Sequence, residues 1–345
     1  MPRRAGLAAA TLAALAATSC WAQETVVHVG VTKSLASATT MIAVEKGYFQ
    51  DAGIKVQLTQ LDSAANVITL LAQNRLQIVE GGVTAGFFSA RERGMPISIV
   101  ADRASSPLNH KLLVRSDLSD TIKSIADLKG GSIASNGAGT VTTYEIGKIL
   151  ASAGLNVEDV DIKIMSFPQM GVALTSKAIA AALAIQPWAS EYVDQGMARV
   201  VADPDDYADP RPLTIAVNMI NTDWAKSNPQ LARDYYTAYE RAAYDYCQAY
   251  HHGPNRAEVV DIIVKTGIED RPETLDRYPW PARNPNGHVN KPGLLDMREY
   301  FRKQGLATRE TPIDDFVDYQ YVDYATSMLG PFDLQNKQSP LAGCR

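Results

Sequence analysis

The sequence predicts an α/β fold built as two successive units, and three observations predict it. Short apolar runs alternate with amphipathic stretches over residues 26–104, and the same alternation starts again after "NHKLLVRSD" (109–117). The chain is also longer than a single hydrophobic core usually grows. In order, "VVHVGVT" (26–32) reads as strand, "TTMIAVEKGYF" as helix, "IKVQLTQL" as strand, "SAANVITLLAQNR" as helix, "LQIVEGG" as strand, "VTAGFFSARERG" as helix and "ISIVADRA" (97–104) as strand. Such alternation implies parallel strands joined by right-handed helical crossovers. The second round runs through "GSIAS", a helix from Thr142 to Ala153, "VDIKIMSF", "QMGVALTSK", "AAALAIQ", "WASEYVDQG" and "ARVVAD".

The acidic, proline-containing turn "DPDDYADPRP" (203–212) closes the second round, and "LTIAVNMINTDWA" follows as another apolar run. From Asn228 the chain turns mostly helical. "PQLARDYYTAYERAAYDYCQAY" spaces its aromatics three and four residues apart, which predicts a helix face packed on a lobe. "RYPWPARNPNGHVNKPG" (277–293) is too rich in proline and glycine for helix or strand; its Tyr278 and Trp280 are candidates for a lid or wall.

Residues 1–22 read as a secretory signal: Arg3 and Arg4 precede an Ala/Leu run ending at Ala17, and Cys20-Trp21-Ala22 offers small residues at the two positions a signal peptidase reads. The apolar run is too short to span about 30 Å of hydrocarbon as a helix. A lipid anchor at Cys20 fits less well, because Ala17-Thr18-Ser19 lacks the aliphatic residue usually found before such a cysteine. Twin-arginine export is an alternative to the ordinary route. The expected location is the periplasm. Without the signal, 31 basic side chains face 38 acidic ones, a net charge of −7, which argues against a nucleic-acid partner. Cys247 and Cys344 then remain in an oxidising compartment, either as a disulfide or as two free thiols.

The stretch "IASNGAGTVTTYEIG" (133–147) carries the densest chemistry. It misses the dinucleotide fingerprint, since Thr142 stands where the third glycine should and no acid follows about 20 residues on. A nucleotide-hydrolase loop is excluded by the missing Gly-Lys-Ser or Gly-Lys-Thr. What is left is a strand ending at Ser135, a turn with Gly137 and Gly139, and a helix start whose N–H groups and Thr140, Thr142 and Thr143 hydroxyls can hold an anion or a polar group. "VEGGVTAGFF" repeats the device with Gly82 and Thr84, and "VTKSLASATT" gathers hydroxyls after the first strand. Arg103 stands past these turns, either beside the site or exposed on the surface.

Catalytic constellations are thin. No nucleophile elbow occurs in a supporting context, and His251 and His252 read as a solvated helix end rather than as metal ligands. Asp205-Asp206 and Asp314-Asp315 read as solvated turn charges.

In this order of motifs the chain resembles the periplasmic solute-binding proteins of ABC importers, in the branch that includes nitrate, sulfonate, taurine and thiamine-pyrimidine-precursor receptors. The likeness is carried by "AVEKGYFQDAGIKVQL", "LLAQNRLQIVEGGVTAGFFSARERGMPISIVA", "SIADLKGGSIASNGAGTVTTYEIGKILASAGLNVEDVDIKIM" and "KAIAAALAIQPWASEYVDQGMARVV". The resemblance implies a two-lobed periplasmic binding protein fold with two chain crossovers and a helical C-terminal region. Lobe 1 would take residues 23–110 and return over 215–345, and lobe 2 would take 111–214. The chain would cross near "NHKLLVRSD" and "LTIAVNM".

Carried over position by position, the cleft would be lined by Thr32 and Ser34, by Gly82 and Thr84, and by Asn136, Gly137, Thr140 and Val141. Thr142 and Arg103 would stand beside them. Gln186, Pro187 and Trp188 occupy the place where the resembling proteins often have an acid before proline. The amide disfavours a protonated aminopyrimidine and favours an anion or a neutral amphipathic ligand. Trp188 either stacks on an aromatic ligand or packs.

The implied function is a receptor that closes by a hinge on a small organic anion, a sulfonate or a carboxylate, aromatic or not. It would act as a monomer, without cofactor or metal, and deliver to the permease of an ABC transporter in the inner membrane. The alternatives are a receptor for a thiamine pyrimidine precursor, a periplasmic sensor subunit, and a pyrimidine-forming enzyme. A fungal relative of this branch makes the thiamine pyrimidine and loses a histidine doing so, with a cysteine cluster beside it, and no such cluster occurs here.

Overall fold

The structure is a computed structural model that describes residues 25–61, 67–308 and 311–345. The expected secretory signal and Cys20 lie outside the described residues. Two five-stranded mixed sheets carry the chain. The first unit supplies β1 (Thr25–Thr32), α1 (Ala38–Glu45), α2 (Tyr48–Asp51), β2 (Ile54–Leu61), α3 (Ile68–Ala72), β3 (Ile78–Gly82), α4 (Ala85–Glu92) and β4 (Ile97–Ser105). The second supplies β5 (Lys111–Arg115), β6 (Ser132–Ser135), α5 (Val141–Ser152), β7 (Asp161–Ile164), α6 (Phe167–Thr175), β8 (Ala181–Ala184), α7 (Trp188–Asp194) and β9 (Ala198–Ala202). After β10 (Thr214–Asn221) come helices α8 (Thr222–Ser227), α9 (Pro229–Tyr250), α10 (Arg256–Lys265), α11 (Pro272–Arg277), α12 (Lys291–Lys303) and α13 (Gln320–Leu329).

The two sheets share one topology, β2-β1-β3-β10-β4 and β7-β6-β8-β5-β9. Contrary to the all-parallel arrangement expected from the alternation, not every strand is parallel. β10 runs antiparallel to β3 and β4, and β5 antiparallel to β8 and β9. The reason lies in the connections: each of these strands enters its sheet from the other one, across 106–110 and 203–213, so no helical crossover within the sheet sets its direction. Thr214, at the edge of the expected lobe 2, opens β10 of the first sheet.

Both β4 and β10 are buried along their whole length, since helices cover both faces of the first sheet. That double cover explains their near-continuous apolar runs. One face packs against α1, α9 and α10, the other against α4 and α12. Helix α9 presents its aromatic stripe as expected from the spacing: Tyr235, Tyr236, Tyr239 and Tyr246 are fully buried, with Tyr235 stacked on Phe49 at 4.7 Å.

The C-terminal tail is stapled to the end of α9. Cys247 and Cys344 form a disulfide with their Cα atoms 5.1 Å apart, closing a span of 97 residues. On a chain-entropy account such a loop contributes about 4–5 kcal/mol. His251 is not a solvated helix end: it is buried, with Nδ1 2.8 Å from the Ser339 hydroxyl and Nε2 3.1 Å from the carbonyls of Gly343 and Cys344. The tail that covers it lies some 90 residues further on, beyond the reach of a local reading. Asp205 likewise departs from its reading as a free turn charge, because its Oδ2 accepts the Leu108 N–H at 2.6 Å and so pins one crossing segment to the other. Among the described residues no helix is long and apolar enough to cross a membrane.

Candidate functional site

Parallel strands bring their carboxyl ends to one edge of a sheet, and here the edges of the two sheets face each other. Between them lies a cavity of about 790 Å³, part of it open to solvent. Thr32 ends β1, Gly82 ends β3 and Arg103 stands near the end of β4. From the other side come Asn136 after β6, the first turn of α5, and Gln186 after β8.

Of the twelve candidate ligand residues, the structure brings ten to this cavity: Thr32, Ser34, Gly82, Thr84, Arg103, Asn136, Thr140, Val141, Thr142 and Gln186. Gly137 and Trp188 are not among its lining residues. The Gly137 carbonyl instead accepts the Thr140 hydroxyl at 2.7 Å and so closes the turn. Trp188 lies one layer back, stacked on Phe167 at 5.3 Å, and it is Phe167 that meets the cavity. A side chain at the first position of a helix packs on the neighbouring helix when that helix offers an aromatic face, and the sequence alone does not show that face. Of the two further candidates, Trp280 is buried in the core and Tyr278 bonds the Asp194 carboxylate; their neighbour Pro281 reaches the cavity.

The lobes touch at their helix starts. Thr84 caps α4 by accepting the Phe87 N–H at 3.2 Å, and the next N–H, of Ala85, donates across the cleft to the Gly139 carbonyl at 2.9 Å. Gly139 has φ +64°, and a Cβ there would lie 2.9 Å from the Ala85 Cβ, so this approach requires glycine. Further contacts fasten the rim. Tyr144 donates to Asp296 at 2.6 Å, Lys148 meets the same carboxylate at 3.0 Å, and Tyr300 donates to the Thr143 carbonyl at 2.9 Å.

The hydroxyls of the second wall are engaged with one another. Thr140 and Thr142 both donate to Asn136 Oδ1, at 3.1 and 2.8 Å, and Thr142 Oγ1 lies 2.6 Å from Ser135 Oγ. The expected hydroxyl cradle is thus largely self-satisfied. The Thr143 N–H is capped by the Thr140 side chain, so what the α5 start leaves for a guest is the N–H groups of Val141 and Thr142.

Charge comes from the first wall. Arg103 is buried, not exposed. Its Nη2 donates to the Thr32 carbonyl at 3.3 Å, to Ser34 Oγ at 3.4 Å and to Ser37 Oγ, and its Nε lies 3.9 Å from Glu80 Oε2. Glu80, fully buried, also accepts from Thr40 at 2.5 Å and Tyr235 at 3.2 Å. Burial pulls the guanidinium down and pushes the carboxyl up, and each charge opposes the other's shift. The cavity lining among the described residues contains Lys33 and Arg103 but no carboxylate.

Sequence reasoning missed His110. It lines the cavity, and its Nδ1 sits 2.9 and 3.1 Å from the two carboxylate oxygens of Glu145, buried on α5. Burial pushes Glu145 up, and the imidazole holds it down. The one available signal was position, since His110 stands at the start of the quoted crossing run. Among the described residues His110 bonds to no hydroxyl or thiol. No group of three or more His, Cys, Asp or Glu among them is placed to hold a metal ion.

Comparison with known proteins follows this geometry. A family model described as "NMT1/THI5 like" matches residues 35–252. No curated protein matches the chain by sequence. Among solved structures, the fold is similar to the alkanesulfonate-binding protein SsuA from Xanthomonas axonopodis pv. citri bound to MOPS, with TM-score 0.69, 16% identity, and 85% of this chain and 98% of that one covered. The periplasmic nitrate-binding protein NrtA from Synechocystis PCC 6803 gives TM-score 0.73 at 15% identity, covering 89% of each chain. The desulfurization enzyme DSZB gives 0.62 at 14%, covering 88% of this chain and 99% of that one. These likenesses establish a two-lobed periplasmic binding protein fold.

Proposed function

We propose, for a chain that belongs to the NMT1/THI5 like family, the function of a periplasmic solute-binding receptor. It takes up a small organic anion, a sulfonate or a carboxylate, between its lobes and presents it to the permease of an ABC importer. The observation that carries this reading is the cavity wall: Arg103 and Lys33 face it, the start of α5 opens onto it, and no carboxylate lines it among the described residues. Leu108, Val141, Phe167, Ile185 and Ile215 add apolar surface to the lining, which suits an organic acid better than a bare inorganic ion. Solved relatives of the fold named for alkanesulfonate and nitrate binding support an anion. The fold also serves an enzyme, so it does not by itself exclude chemistry. The reading as a non-enzyme rests on the cavity, whose one imidazole is tied to a carboxylate and has no nucleophile beside it.

Closure by a hinge follows from the two crossing segments, which are all that joins the sheets as covalent chain. Both lobes contribute to the lining, so a guest bound to both favours the closed arrangement. A thermal-shift screen of the secreted protein over sulfonates, aromatic and aliphatic carboxylates, nitrate, pyrimidines and sugars tests the proposal. A cognate ligand at about 100 times its dissociation constant adds about 2.7 kcal/mol to stability. Stabilisation by organic anions is expected; stabilisation by sugars or cationic pyrimidines alone overturns it.

A further inference from the structure

Resting on the reading of the cavity as a receptor site for an organic anion, we infer that the guest also carries a hydrogen-bond donor, a hydroxyl or an N–H. That donor stands apart from the acid group and is received by Gln186 Oε1. The ligand class is then a hydroxylated or N–H-bearing organic acid, and a plain acid is disfavoured.

Two buried polar atoms in the cavity wall have no hydrogen-bond partner among the described residues: Arg103 Nε and Gln186 Oε1. Their residues are 2% and 4% exposed, so bulk water does not serve either atom. They come from opposite lobes and have opposite character, one a donor and the other an acceptor. The orientation of the glutamine amide follows from its neighbour. Gln186 Nε2 donates to the Asn109 carbonyl at 3.0 Å, and a carbonyl can only accept, so turning the amide over would set oxygen against oxygen. The end left over is therefore the oxygen.

The imidazole of His110 does not supply the missing proton: its hydrogen bonds run from Nδ1 to Glu145, and none reaches Gln186 Oε1. Arg103 Nη2 is committed to Thr32, Ser34 and Ser37, and its Nε stands beyond hydrogen-bond distance from Glu80. Arg103 Nε faces the Glu80 carboxylate, so the orphan left for the guest is Gln186 Oε1, which a guest donor would satisfy while the Arg103 charge favours an acid in the same cavity. A site whose buried polar atoms wait for a donor discriminates strongly against analogues that lack it, since those leave the atom unpaired.

The test uses matched pairs of acids differing only in the donor: the 2-, 3- and 4-hydroxybenzoates against their methoxy counterparts, and hydroxy- and amino-substituted alkane- and arenesulfonates against their O- and N-methylated forms. Affinities are measured by calorimetry on the full mature chain and on Gln186→Met. At least one donor-bearing acid is expected to bind about 10- to 100-fold more tightly than its methylated partner. Gln186→Met should reduce that ratio to about threefold or less. Gln186→Glu, which still accepts, should keep the preference while weakening every acid. Equal binding within all pairs, or a preference that survives in Gln186→Met, overturns the inference and leaves the anion receptor standing. Failure of every acid to bind overturns both. Should Gln186→Met not fold, the wild-type pairs decide alone.

Discussion

On the wall supplied by the first sheet, Arg103 sits over a buried carboxylate, Glu80, which two further hydroxyls hold in place. On the wall supplied by the second, Asn136, Thr140 and Thr142 close a ring of hydrogen bonds upon themselves. The sequence shows the same device on both sides, a strand, a glycine turn and a threonine at a helix start. Its outcomes differ because a hydroxyl can satisfy itself on a neighbour two to six residues away, whereas a guanidinium in the interior needs a charge brought from elsewhere in the chain. The first wall is therefore the one whose loss leaves an uncompensated charge, and the second is a shaped scaffold that presents backbone N–H groups.

The largest effect expected from this contrast is at Arg103. Arg103→Met strands Glu80 without its counter-charge and should cost about 3–5 kcal/mol in denaturant unfolding, together with loss of anion binding. Adding Glu80→Gln to that variant should recover part of the stability and none of the binding. A full recovery of both would show that the pair is not what holds the site.

Next in size is a pH effect confined to the same wall. Burial pushes the Asp102 carboxyl up to about 6 from 3.8, against hydrogen bonds from the Ser105 hydroxyl and the Asn284 N–H. The folded chain then keeps a proton that the unfolded chain has released. The contribution is favourable below about 3.8 and is lost as pH rises through about 6, by up to roughly 3 kcal/mol. Asp102→Asn should remove this component, so the stability difference between variant and wild type should grow in favour of the variant from pH 4 to 7.5. A difference independent of pH would place the titration elsewhere.

The smallest effect is expected on the second wall. Thr142→Val deletes bonds to Ser135 and Asn136 and should cost about 1–2 kcal/mol while reducing affinity far less than Arg103→Met. If Thr142→Val instead abolished binding at unchanged stability, the threonine hydroxyl would be a direct ligand contact and the contrast between the walls would fail.

Much of this was legible in the order of residues. The alternation of apolar runs with amphipathic stretches is a short-range signal, and so are hydroxyl-bearing helix starts; both translate directly into strands, helices and the edge where ten of twelve candidate residues meet. Trp188 and Gly137 do not line the cavity, because the first position of a helix and a turn glycine each face either way, and neighbours distant in sequence decide which. His110 escaped notice because its partner, Glu145, lies 35 residues away. The directions of β5 and β10 depended on which sheet each strand enters, and local periodicity is the same either way.

By itself the sequence determined the α/β class, the two rounds of strand and helix, the buried aromatic face of α9 and the chemistry gathered at the strand ends, since each is set by contacts within a few residues along the chain. Only the tertiary structure decided that Arg103 is buried over Glu80, that the threonine hydroxyls are turned inward, that Cys247 meets Cys344 and that Gln186 holds an unpaired oxygen at the cavity. Those outcomes depend on groups separated by up to 97 residues, and burial fixes them because a polar atom removed from water must find a partner wherever the fold brings one.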